Sequence, residues 1–135
     1  SGAVVDYRDW HVPLGRRFRS LKLWWVLRSY GAAGIRHHVR EHVRMARDLD
    51  ARIVSDPRFA LVAPTLFSLV SFRHVGGEQA TSDLAAAINA TGSVMVTPST
   101  INDQSFIRVS IAQTRTEMRH VDALWEIIDE HAAPL

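Results

Sequence analysis

GIRHHVREHVRMARDLDARIVSDPRFALVAPTLFSLVSFRH, residues 34–74, changes its period partway along. Ile35, Val39, Val43, Ala46, Leu49 and Ile53 recur at steps of three and four, which predicts an amphipathic helix over 35–54. Arg36, Arg40, Arg44, Arg47 and Asp48 fall on its opposite face, and Asp56-Pro57 ends it. Phe59-Ala60-Leu61-Val62 then has the pattern of a strand, Pro64 and Thr65 break it, and Leu66 to His74 is a second β-rich run. A helix followed at once by two adjacent strands points away from an alternating parallel fold.

The flanks extend the pattern. Residues 1 to 19 show no helical stripe and are punctuated by Pro13 and Gly15. Ser20 can cap a helix over 21–30 with Leu23, Trp24, Leu27 and Tyr30 on one side, before Gly31 and Gly34 interrupt. On the other flank Gly76-Gly77 is a turn, and Thr81 to Ala90 is a short helix with Leu84 and Ile88 inward. Ser93–Thr97 and Ser105–Ala112 are two strands joined by the polar link Asn102-Asp103. Thr114 and Glu117 have the spacing of a capping box, opening a last helix whose inner stripe is Met118, Val121, Leu124, Trp125 and Ile128. The order α-α-β-β-α-β-β-α predicts an α+β fold: a small antiparallel sheet with helices on one face.

Composition narrows the function classes. The chain has 135 residues, 47% of them hydrophobic, which suits one domain with a real core. The net charge is only +2, although 15 of the 16 basic residues are arginine, so a dedicated polyanion binder is disfavoured. Basicity does not run along one long face, which removes an arginine-rich RNA binder from the front rank. No apolar run approaches the roughly 20 residues of a membrane span, and Trp24-Trp25 point about 100° apart, needing partners on two sides. The absence of cysteine excludes thiolate chemistry and fits a reducing, cytoplasmic setting.

Chemistry-bearing clusters are incomplete. His38 and His42 are four apart on one helix beside His37, but no HExxH glutamate lies between them, so solvated or interface histidines are expected and no metal site is assigned. The carboxylates are scattered, with no acid/base pair. The glycines form no phosphate-binding pattern, and Ser68 and Ser71 have no nucleophile-elbow context. Arg16-Arg17-Phe18-Arg19 fits an interface at least as well as a phosphate contact. Spacing alone describes an α+β domain without a complete catalytic set.

The words say more. Asp6-Tyr7-Arg8-x-Trp10, then Pro13-Leu14-Gly15-Arg16-Arg17-Phe18-Arg19-Ser20-Leu21-Lys22-Leu23-Trp24, then Arg28-x-Tyr30-Gly31 form a long, unusual run. It resembles the C-terminal third of the group II pyridoxal-phosphate decarboxylases, closest to those acting on aromatic L-amino acids. The resemblance continues through Asp56-Pro57-Arg58-Phe59, Leu69-Val70-Ser71-Phe72-Arg73 and Phe106-Ile107-Arg108-Val109-Ser110-Ile111-Ala112, more weakly between 76 and 100.

The resemblance implies the C-terminal domain of a fold-type I homodimer. Residues 1–37 would finish the large domain beside the active site, and 38–135 would form the small domain. Pyridoxal phosphate would be bound by the missing N-terminal portion, whose His-Lys pair supplies the amine. Lys22, the single lysine, follows Leu21 and is not that residue. Arg8 would help hold the catalytic loop. Pro13, Leu14 and Gly15 would approach the substrate ring, the small Gly15 leaving room for indole or catechol. Arg16, Arg17 and Arg19 would serve structure and the interface. Arg108 lies on a strand that, in related aminotransferases, carries a carboxylate-gripping arginine. A decarboxylase gains nothing from clamping the departing carboxylate, so a structural use is expected.

The partners implied are the rest of the enzyme, as companion chain or upstream domain, a second copy, and the aromatic substrate, with neither nucleic acid nor membrane. A mobile, protease-sensitive loop precedes the equivalent of Ser1, so a cut there, or a split pair, is expected. The isolated chain is expected to be inactive. The alternative is a non-catalytic module for protein association.

Overall fold

A computed structural model describes residues 18–134. The chain divides into two compact units, Ser1–Ile35 and Arg36–Leu135. Seven elements follow in the order α1 (Ser20–Ser55), β1 (Phe59–Leu61), β2 (Leu69–His74), α2 (Glu78–Ala90), β3 (Thr97–Ile101), β4 (Gln104–Ser110) and α3 (Met118–His131).

α1 joins the two predicted helices. Only Gly31 leaves helical geometry, at φ 62° and ψ 173°, a conformation that a side chain would oppose. Gly34 stays helical, so the second expected interruption does not occur. In the first unit Leu23, Trp24, Trp25 and Leu27 are all exposed.

The second unit holds the core. Its sheet has the order β1-β2-β4-β3, antiparallel throughout. Period-two alternation sorts the strands cleanly. Phe59, Val70, Phe72, His74, Ile107 and Val109 are buried on one face, where the register pairs Phe59 with His74, Phe72 with Ile107 and Val70 with Val109. Met45, Ala46, Leu49 and Ile53 of α1, Leu84, Ala85 and Ile88 of α2, and Val121, Leu124 and Ile128 of α3 close over that face. The α+β architecture with helices on one face is as the sequence predicts.

Three local expectations are corrected. In α1 the buried line runs through His42, Met45, Ala46, Leu49 and Ile53, whereas Val39 is 48% exposed and Val43 half-buried. The core-facing stripe is thus rotated away from the two valines. The third strand is Thr97–Ile101, not Ser93–Thr97. Asn102 and Asp103 both take positive φ (48° and 59°), making a two-residue hairpin that pairs Ile101 with Gln104 and pulls the strand downstream. Val96 is instead held by the Asn89 carboxamide, which donates to Val96 O at 3.0 Å and accepts from Val96 N–H at 2.8 Å. Pro98 is tolerated because β3 is an edge strand. Finally, Thr114 does not cap α3. Glu117 is the N-cap residue, and its backbone N–H donates to His120 Nδ1 at 2.9 Å.

His74 pins the end of the sheet. Its Nδ1 accepts the Gly76 N–H at 3.0 Å, and Nε2 lies 3.0 Å from the Ala133 carbonyl, two contacts that the tautomer with its proton on Nε2 serves together. A methyl group at Gly76 would sit 2.8 Å from that Nδ1, which is why a glycine opens this turn.

Candidate functional site

The helices cover one face of the sheet and leave the other to a mixture of polar, basic and apolar side chains, Leu69, Ile101 and Phe106 among them. Because β4 lies between β2 and β3, Arg108 is flanked by Ser71 on one side and Thr97 on the other. Arg73 is on the same face two residues along β2, and its Nη1 donates to Gln104 Oε1 at 3.4 Å. Ser99 pairs with Phe106 beyond Arg108. Arg108 is exposed, with no carboxylate partner among the described residues. Two guanidinium groups among hydroxyls can bind an anion or a complementary surface. They form no acid/base or nucleophilic set. The companion role of Arg73 was not read from spacing. Only the register places it on the face of Arg108, although its period-two relation to Leu69 and Ser71 was the available signal.

The other expected residues divide simply. Arg8, Pro13, Leu14 and Gly15 lie outside the described residues, as do Arg16 and Arg17. Lys22 is exposed in the helical part of the first unit, and Ser20–Ile35 contains no Asp or Glu. Pyridoxal phosphate needs an amine for its aldehyde, an acid near the ring nitrogen and an anion cradle. The described residues do not fit those needs. The Gly76-Gly77 turn before α2 is no phosphate cradle, because the first helical turn carries the acidic Glu78. Glu78 accepts the Ser105 N–H at 2.5 Å, and Ser105 holds its carboxyl below the ordinary range.

The histidines do not make a metal centre. His37 is exposed, His38 half-buried and His42 buried, with centroids 5.8 Å apart for His37–His38 and 6.2 Å for His38–His42. Among the described residues no three His, Cys, Asp or Glu side chains converge to hold an ion. No described helix is long and apolar enough to cross a membrane.

The strongest ionic constellation supports the fold. Arg58 donates to Asp56 Oδ2 at 2.7 Å and to the Asp129 carboxylate, tying the end of α1 to α3. Arg52 repeats the link, reaching Asp48 at 2.7 Å and Asp122 at 2.6 Å. Hydrogen bonds from the Arg58 guanidinium hold the Asp56 carboxyl below its usual range, against the opposing effect of burial. A depressed folded-state value stabilises the protein above the unfolded value of about 3.9, and that stability is lost as pH falls through the folded value. Asp56→Asn should therefore cost about 1–3 kcal/mol at pH 7 and flatten the acid limb below about pH 4. Urea unfolding of wild type and variant from pH 7 to pH 2.5 checks this; parallel curves would remove the assignment.

Comparison with known proteins adds the family. Residues 1–75 match the model described as the pyridoxal-dependent decarboxylase conserved domain. Tryptophan decarboxylase 2 of Oryza sativa is 37% identical over 98% of this chain and 28% of its own length. The crystal structure of Oryza sativa TDC with PLP and tryptamine superposes with a TM-score of 0.81 at 34% identity, over 97% of this chain and 30% of that one. The structure of Rhodiola rosea 4-hydroxyphenylacetaldehyde synthase gives 0.82 at 37% identity, over 95% and 29%. The chain thus spans under a third of the length of these relatives.

Proposed function

The chain belongs to the pyridoxal-dependent decarboxylase family, and from that membership we propose that it is the C-terminal part of an enzyme converting an aromatic L-amino acid to its amine and CO2. The observation that carries this reading is the family match over 1–75, joined to identity that continues over 98% of the chain. Pyridoxal phosphate is the family's cofactor, and its binding groups lie outside the described residues.

In this reading residues 1–37 complete the large domain, with Arg8 bracing the catalytic loop and Pro13, Leu14 and Gly15 against the substrate ring. Residues 38–135 form the small domain. The whole enzyme is a cytoplasmic homodimer, a reading supported by the lack of cysteine and by the exposed Trp24, Trp25 and Leu27. Arg108 positions the small domain through the open sheet face and does not grip the departing carboxylate, a contact that would stabilise the ground state.

The test is turnover by the full-length enzyme with tryptophan, tyrosine and dopa, following CO2 and the organic product. Amine with CO2 supports the reading. An aldehyde product would place it instead with the synthases, as the Rhodiola rosea similarity also allows. No turnover would favour the non-catalytic association module. In the same assay Arg108→Gln should lower kcat with KM little changed. A rise in KM alone would reassign Arg108 to the substrate carboxylate.

A further inference from the structure

A groove of about 720 Å³ runs between the outer face of α1 and the turn before β2, lined by Val39, Arg40, Val43, Arg44, Arg47 and the Thr65–Phe67 turn. Its floor is apolar and open. Leu66 is 71% and Phe67 80% exposed, and Val39 is 48% exposed, an apolar residue of α1 that the core leaves out.

Phe67 is displayed, not loose. Its φ is +52°, in the left-handed region that a bulky side chain avoids. The Leu69 N–H closes the turn onto Leu66 O at 3.2 Å, and the Thr65 hydroxyl donates to the Asp50 carboxylate of α1. Strain imposed on an exposed aromatic by its own supports is the pattern of a contact site.

The rim is cationic. Among the described residues Arg44 is paired along its own helix, to Glu41 at 2.9 Å. Arg40 and Arg47 have no carboxylate partner among the described residues. The apolar tip argues against a nucleic-acid backbone as occupant. A two-fold contact centred on this groove would bring two such cationic rims together, which like charge opposes.

All eight lining residues fall within 1–75, the span shared with the family's conserved domain, and over two thirds of each relative's length lies outside this chain. We propose that this groove seats an apolar segment flanked by Asp or Glu, contributed by the part of the same polypeptide outside residues 1–135. The proposal rests on the reading of the chain as part of a larger decarboxylase.

The test places p-benzoylphenylalanine at Phe67 in the full-length enzyme, followed by irradiation, digestion and mass spectrometry. The expected product has monomer mass, with residue 67 joined to a peptide outside 1–135 that carries a carboxylate within a few residues. A dimer-mass product, a link within 1–135, or no link in a folded enzyme would overturn it. Should that variant misfold, Phe67→Cys serves: loss of maleimide labelling in the native enzyme and its return in urea is expected, and equal labelling in both overturns the proposal. Turnover measured on the same sample separates the two ideas. An active enzyme without the cross-link keeps the decarboxylase and loses the docking site.

Discussion

Residues 1–135, purified alone and supplied with pyridoxal phosphate and tryptophan, should release no CO2 above the rate of the cofactor in buffer. The expected loss is the whole protein contribution, at least about a millionfold for enzymes as a class. An activated lysine must face the cofactor aldehyde from a shielded pocket with its ammonium pKa lowered. Lys22 is the single lysine of the chain and is solvent-exposed, on a helical stretch with no carboxylate. The open face supplies Arg73 and Arg108 but no acid or base within that array. Borohydride treatment of the isolated chain should leave Lys22 without a stoichiometric pyridoxyl adduct, read by intact mass. In the full-length enzyme Lys22→Met should keep turnover within a few-fold of wild type. A stoichiometric adduct at Lys22, or collapse of activity in that variant, would sink the argument and make this segment the catalytic one.

How far the sequence could be read depended on what set each feature. The helices over 35–54 and 118–131 were legible because long stripes report a face, and Leu49, Ile53, Val121, Leu124 and Ile128 are buried as expected. Val39 misled because apolar phase says a residue wants cover without saying which surface covers it. Val94-Met95-Val96 looked like a strand, yet Met95 is 90% exposed and Val96 is satisfied by a side-chain amide. Strand position here was decided by the left-handed pair Asn102-Asp103, a local hairpin turn that the sequence shows only as a polar link. Arg108 was found through the likeness of its strand, whereas Arg73 and the displayed Phe67 emerged only from register and backbone geometry. The same limit applies to the site: a family word such as Pro13-Leu14-Gly15 can be recognised, but the part of a pocket built by other residues leaves no trace in these.

Phe72→Ala should cost about 3–5 kcal/mol, the range for deleting a fully buried aromatic, and more than the same truncation at Phe59. Phe72 is 0% exposed on β2, an interior strand paired on both sides, and its register partners are Leu61 and Ile107. Its ring meets Phe59 edge-on at 5.5 Å and 88°. Removing it leaves a void in the core cluster that neighbours held by the sheet cannot collapse into. Phe59 sits on the edge strand, 6% exposed, beside the half-buried Trp125 at 6.2 Å, which has room to follow. A domain of this size holds about 5–15 kcal/mol in all, so Phe72→Ala should move the urea midpoint by about 1–3 M or unfold the chain outright. Phe72→Leu keeps the measurement usable in that event, at a cost below about 1.5 kcal/mol if the core repacks. A loss under about 1 kcal/mol in Phe72→Ala, or a larger one at Phe59, would mean that the helices do not close over the sheet as described. The core would then have to be completed by the rest of the enzyme, and the domain would not be stable without it.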